Sequence, residues 1–298
     1  MRAFFMIEMK TPLRILEVSI PHASPDGTLR GAMKLPQTIA SAGFNTVFVL
    51  PWMKINQSLS ASPYAVIDHL TVHETIGTVE DAMEWIKRCH EAGLRVVLDM
   101  PLNHTSPMHH WASNPKWFLR DAAGMPHPPA GTPWNDVVQL NHHCAELVQA
   151  CEEVLLYWLK VGVDGFRFDA ASFIPDAVLI RWSERLRQQT TVPLLLWCDG
   201  SEYARQRPFF DGYLNHEAFQ LAKHSMVEWE EHVRLSEDSG IFYLSSHDTL
   251  QNCCSPMNEW PEHYEAMKMH LERSAQHWLL SWSDWQNPQS YYSFLLHS

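Results

Sequence analysis

Short, nearly continuous apolar runs alternate along this chain with longer amphipathic ones, regularly enough to predict its elements. Candidate strands fall at 14–20 (RILEVSI), 46–51, 95–100 (RVVLDM), 163–170, 192–197 (VPLLLW), 211–214, 241–244 and 279–282. The run at 46–51 is apolar on both faces, as strands covered on both sides by helices are. Candidate helices end near Gly43 and span 78–92, 145–160, 176–189, 218–235, 261–277 and 288–297. The second of these begins on Thr78 as N-cap with Asp81 at the third helical position and stops at Gly93, while Gly162 closes the third. About eight strand–helix units result, which calls for a parallel sheet. It could be an open doubly wound sheet or a (β/α)8 TIM barrel, typically ~250 residues. No glycine-rich fingerprint follows the first strand, so the dinucleotide-binding open sheet loses its main support and the α/β barrel is expected.

The stretch Val163-Asp164-Gly165-Phe166-Arg167-Phe168-Asp169-Ala170 is unusual for a core strand. Arg167 and Asp169 are two residues apart and so point to the same side. Charges there need partners or water. They are either an internal ion pair or part of a site at the strand's C-terminal end, where α/β folds build sites.

A net charge of -12 argues against a phosphate-binding surface and against nucleic-acid partners, and an uncharged or cationic partner is easier to accommodate. Thirteen Trp and eighteen His are high counts, and Trp in loops suits stacking on sugar rings, although core packing accounts for most. The first ten residues do not read as a secretory signal and no run approaches transmembrane length, so no membrane partner and a cytoplasmic location are expected. The six Cys show no metal or redox spacing and read as reduced thiols.

In a barrel, the C-terminal strand ends share one mouth. Those ends carry Asp99, Asn103 and His104 after the third strand, Arg167 and Asp169 on the fourth, Asp199 and Glu202 after the fifth, and His247 and Asp248 after the seventh. Trp52 and Tyr64 follow the second. Several carboxylates with histidines, an arginine and aromatics suit glycoside cleavage, in which one carboxylate attacks and another carboxylic acid protonates the leaving oxygen.

These residues also carry a resemblance. Asp99-Met100-Pro101-Leu102-Asn103-His104, Gly165-Phe166-Arg167-Phe168-Asp169 and Ser246-His247-Asp248 are similar to the first, second and fourth motifs of the α-amylase superfamily of glycoside hydrolases and transglycosidases. Gly43 to Pro51 resembles its strand-two signature, Ser62-Pro63-Tyr64 its tyrosine loop, and Val138-Gln139-Leu140-Asn141 the short motif ahead of the third helix. The resemblance runs in order from about Arg14 to Asp248. It implies a retaining enzyme acting on α-glucans, oligosaccharides or small α-glucosides. Asp169 would be the nucleophile and Arg167 would hold it ionised; Asp248 and His247 would grip the substrate, His104 would bind the same ring and Tyr64 would stack on it. Asp99 would support the site from below.

Three departures qualify it. The third motif's glutamate is replaced by two imperfect candidates for the acid/base, Asp199, one methylene short, and Glu202, three residues late; Asp199 is preferred. A misplaced acid keeps a second reading open, a weak or inactive barrel that binds a carbohydrate or a partner. Where calcium-dependent relatives often have Lys-His after the nucleophile strand, this chain has Ser172-Phe173, and the excursion at 105–141 carries few acids, so neither a bound metal nor any cofactor is expected. That excursion is expected to wall the cleft, with Trp111, Trp117 and Trp134 as candidate sugar platforms. Only a faint eighth-strand similarity follows, so one barrel over 1–298 without a C-terminal β-sandwich is expected.

Overall fold

The computed structural model describes residues 11–199, 209–222, 224–235, 240–247 and 261–286. Its strands are β1 (Leu13–Val18), β2 (Thr46–Val49), β3 (Arg95–Met100), β4 (Gly165–Phe168), β5 (Leu195–Asp199), β6 (Gly212–Leu214), β7 (Gly240–Tyr243) and β8 (His277–Ser281). Each pairs in parallel with the next, and β8 returns to β1 with Leu13 opposite His277, closing the expected barrel.

Strand alternation explains the apolar runs. Leu13, Ile15, Phe48, Val97, Leu195, Trp197, Leu214, Ile241, Tyr243 and Leu279 pack together inside the barrel. The intervening Leu16, Val47, Val49, Val96, Leu98, Phe166 and Leu196 belong to the larger core under the helices. Both faces of each strand are therefore buried. Gly165 is required by close approach, because a Cβ there would lie 1.9 Å from the Leu195 carbonyl oxygen across the β4–β5 pair.

The outer layer contains α1 (Leu35–Ser41), α2 (Val79–Glu91), α3 (Ala145–Val161), α4 (Asp176–Arg187), α5 (His216–Ala222), α6 (Met226–Leu235), α7 (Pro261–Ser274) and α8 (Trp282–Gln286). The Thr78 capping box forms as the sequence predicts: the Asp81 N–H donates to Thr78 Oγ1 at 3.2 Å and the Thr78 N–H to Asp81 Oδ2 at 3.0 Å.

One expectation is corrected, and one element is added. The single helix over 218–235 is two helices, α5 and α6, because the Ser225 hydroxyl accepts the Glu228 N–H at 3.3 Å and starts a new N-terminus. The loop after β2 contains an antiparallel hairpin, Met53–Ile55 against Val66–Val72. The helix expected over 288–297 lies outside the described residues.

Candidate active site

Inward positions at the C-terminal ends of β3, β4 and β5 bring charge into the barrel mouth. Asp99 is opposite Arg167 in the β3–β4 register. Arg167 is fully buried, and its Nη1 donates to both Asp99 oxygens at 3.0 and 2.9 Å and to Asp169 Oδ1 at 3.0 Å. Its Nη2 lies 3.6 Å from Asp199 Oδ2. Burial alone would push the Arg167 pKa down, but Asp99, Asp199 and Asp169 together hold it well above its ordinary value. Asp99 is completely buried, and burial pushes its carboxyl pKa up against the opposing charges of Arg167 and His247.

Asp169 and Asp199 differ from Asp99 in reaching solvent, with side chains 14% and 27% exposed. The chain turns sharply after Asp169: Ala170 is left-handed at φ 50°, a conformation costing ~1 kcal/mol or more outside glycine. That turn aims the Ala171 N–H at Asp199 Oδ1, 3.3 Å away. Asp199 thus faces two N–H donors, the Ala171 backbone and Arg167.

The other oxygen of Asp169 faces His104, whose Nε2 is 3.7 Å from Oδ2. The Asn103 side-chain N–H donates to His104 Nδ1 at 3.4 Å, which leaves the proton on Nε2, toward Asp169. Burial lowers the His104 pKa to about 4, against the attraction of Asp136, so the ring is neutral at neutral pH.

Tyr64 enters on the loop between the hairpin strands. Its hydroxyl is 2.7 Å from Asp99 Oδ2 and 2.7 Å from His247 Nε2, and the two rings stack at 5.7 Å. Ser60 donates to Asp136 Oδ2 at 2.5 Å, which ties this loop to the excursion. Of the three candidate platforms, only Trp134 reaches the mouth, 5.3 Å from the His104 ring and 6.3 Å from Phe173. Trp111 is buried against His69, His109 and Trp117, which makes it core.

The structure therefore brings Tyr64, Asp99, His104, Arg167, Asp169, Asp199 and His247 together. Glu202 and Asp248 lie outside the described residues. Sequence reasoning missed Glu17 on β1, which accepts the His247 backbone N–H at 2.9 Å and faces its Nδ1 at 2.5 Å. The available signal was an acid continuing the alternation of Leu13 and Ile15, on a strand face that is otherwise apolar.

Among the described residues the donor set does not make a calcium cage. Asn103 Oδ1 is buried without a hydrogen-bond partner among the described residues, one oxygen where about six are needed. The excursion's acids serve elsewhere: Asp121 accepts the Ala123 and Met125 N–H groups and Asp136 accepts Ser60. Among the described residues no group of three or more His, Cys, Asp or Glu is placed to hold a metal ion, and no helix is long and apolar enough to cross a membrane.

Residues 17–117 match the family model of the alpha amylase catalytic domain. An alpha-glucosidase of Candida albicans is 30% identical over 184 residues, 49% of this chain and 32% of that protein. Alpha-amylase 3 of Dictyoglomus thermophilum is 26% identical over 184 residues, covering 52% of this chain and 35% of that protein. These matches span about a third of the length of the curated relatives. Among solved structures, an alpha-amylase from Lactobacillus plantarum superposes with a TM-score of 0.76 over 92% of this chain and 72% of that one at 23% identity, a likeness of fold. A maltogenic alpha-amylase from Thermotoga neapolitana gives 0.70 at 26% identity, over 79% of this chain and 59% of that one. The motifs at the mouth, the family match over 17–117 and these relatives all point the same way: the chain is similar to the α-amylase superfamily.

Proposed function

We propose that this barrel cleaves or transfers α-glucosidic bonds by a retaining mechanism, with Asp169 as nucleophile. One observation carries the reading: Asp169 stands at the end of β4 with one oxygen on the buried Arg167 guanidinium, the other facing the neutral His104, and its edge open to solvent. Arg167 keeps the carboxylate charged and directs it, and the Nε2–H of His104 is placed to donate to a sugar hydroxyl or to Asp169. Tyr64 offers a ring face, and His247 with Asp248 would hold the same sugar. Relatives bearing the names alpha-glucosidase, alpha-amylase and maltase support the substrate class.

The proton donor is Asp199 or Glu202. A leaving group that needs no protonation separates them: loss of the true acid by Ala substitution lowers maltose cleavage ~10²–10⁴-fold while sparing an activated aryl α-glucoside. The reading as a whole is tested by incubating the protein with maltooligosaccharides, isomaltose, trehalose, sucrose and an activated α-glucoside. Sugar release is expected from at least one, and Asp169→Asn should reduce it at least ~10³-fold. Absence of release from all five would overturn it.

A second reading, carbohydrate binding without turnover, is favoured by the contacts of Asp199 with the Ala171 N–H and Arg167, which use it as an acceptor rather than a proton donor. In that case Asp169→Asn leaves sugar affinity nearly unchanged and there is no turnover to lose.

A further inference from the structure

Beneath the sugar-facing groups runs a continuous row of side chains that crosses the barrel from β1 to β4. Glu17 Oε2 accepts the His247 backbone N–H at 2.9 Å, and Glu17 Oε1 faces His247 Nδ1 at 2.5 Å. On the far side of the ring, Nε2 is 2.7 Å from the Tyr64 hydroxyl, which is 2.7 Å from Asp99 Oδ2. Both Asp99 oxygens accept from Arg167 Nη1. Glu17 and His247 are each less than a tenth exposed, so solvent does little to relax the protons in this row.

The protons can be followed atom by atom. A tyrosine hydroxyl has one proton, and Asp99, facing a donor-only guanidinium, draws it. The contact between the Tyr64 oxygen and His247 Nε2 must then be made by a proton on the ring. With Glu17 as a carboxylate, Oε1 can only accept, so the Nδ1 contact also takes a proton from the ring. Both ring nitrogens carry a proton in this reading, and among the described residues the charged groups facing the ring include Glu17 from β1, Asp99 from β3 by way of Tyr64, and Arg167 from β4 behind Asp99. The Phe48 ring from β2, 6.3 Å away, adds no charge.

We infer that Glu17 is a positioning residue that holds His247 as an imidazolium, and through it orients Tyr64 and Asp99 under the bound sugar. The effect on turnover rests on the glycosidase reading above, whereas the protonation state does not. An imidazolium with its Nε2–H committed to Tyr64 fixes the tyrosine's ring plane and keeps its hydroxyl proton on Asp99. Asp99 is thereby shared between Tyr64 and Arg167, and more of the guanidinium is left to Asp169. With a neutral His247, Tyr64 would donate to the ring instead, and Asp99 would compete harder with Asp169 for Arg167.

The test reads the ring directly. In protein labelled with ¹⁵N-histidine, with the His247 signals assigned by their loss in His247→Gln, both ring nitrogens should be in the protonated range at about pH 8, where an ordinary histidine is neutral. Glu17→Gln should return the ring to a single protonated nitrogen at that pH. It should also lower kcat/KM by roughly tenfold to a hundredfold and move the alkaline limb of its pH profile to lower pH, since a charge-assisted hydrogen bond is lost. A singly protonated ring in the unmutated protein at about pH 7 overturns the inference, and that measurement decides the matter even where Glu17→Gln does not fold. A protein that cleaves no glycoside but shows the doubly protonated ring would sink the functional reading alone.

Discussion

The two ends of the barrel use the same residue types for opposite purposes. At the N-terminal end, Asp164, immediately before β4, accepts the Val96 N–H at 2.7 Å and pairs with His90 at 2.9 Å. Asp211, immediately before β6, accepts the Leu196 N–H at 2.9 Å and pairs with Arg187 at 2.8 Å. Asn45, immediately before β2, accepts the Arg14 N–H at 3.0 Å. The arrangement recurs: the side chain preceding an even strand takes the N–H of the second residue of the odd strand before it. Each acid there meets one backbone donor and one cationic partner. At the mouth, three acids converge on one guanidinium, Arg167, and two of them still reach solvent. Matched pairs join strands, and an excess of acid over cation at an open strand end is what chemistry requires.

The contrast is broken most sharply by removing one acid from each end. Asp211→Ala leaves Arg187 and the Leu196 N–H without their buried acceptor and should destabilise the fold by ~3–5 kcal/mol in urea unfolding. Asp169→Asn removes one of three acids sharing a guanidinium and should move stability by no more than about 0.5 kcal/mol. Equal stability losses at both ends would remove the distinction.

A smaller effect comes from the acid side of the pH scale. His69, fully buried, has its pKa lowered to about 4 by burial, and burial lowers His109 further. The chain of bonds explains their neutrality: the Trp111 N–H donates to His109 Nδ1, His109 Nε2–H to His69 Nδ1 at 3.0 Å, and His69 Nε2–H to the Pro101 carbonyl at 3.0 Å. Each ring binds a proton more readily unfolded than folded. Their stability is therefore present above pH 6.5 and lost as pH falls toward about 4, with His69 alone worth up to ~3 kcal/mol. Urea midpoints measured through that window should fall steeply, and His69→Asn should flatten the slope.

Much of this was legible in the sequence for physical reasons that can be named. Two-sided burial writes strands as apolar runs, so β2, β3 and β4 are recognisable, and the Thr78–Asp81 capping box announces α2. Arg167 and Asp169 share a side by strand alternation alone. What escaped depended on contacts distant in sequence: Glu17 meets His247 across 230 positions, and nothing local marks either as the other's partner. The α5–α6 break escaped because apolar periodicity runs through it, although Ser225 and Glu228 have capping-box spacing. Trp111 and Trp134 look alike in a loop, and only packing separates core from mouth.

The smallest predicted effect concerns the other Asp at the closed end. The Asp164 carboxylate raises the His90 pKa by a side-chain hydrogen bond, against partial burial. A raised folded-state pKa means that the pair stabilises fully below the unfolded value of about 6.5 and that its contribution disappears as pH rises through the folded value. This is the opposite sign to His69 and His109, on the same residue type. His90 is 42% exposed at its side chain, so solvent screening limits the effect to under ~1 kcal/mol. His90→Gln should leave stability near pH 8 unchanged and lower it slightly near pH 6, read as a difference in urea midpoints. Asp164 keeps its bond to the Val96 N–H in that variant, so the β3–β4 join survives the loss of its cation. A larger loss than this would mean that the cation, rather than the backbone donor, holds the closed end together.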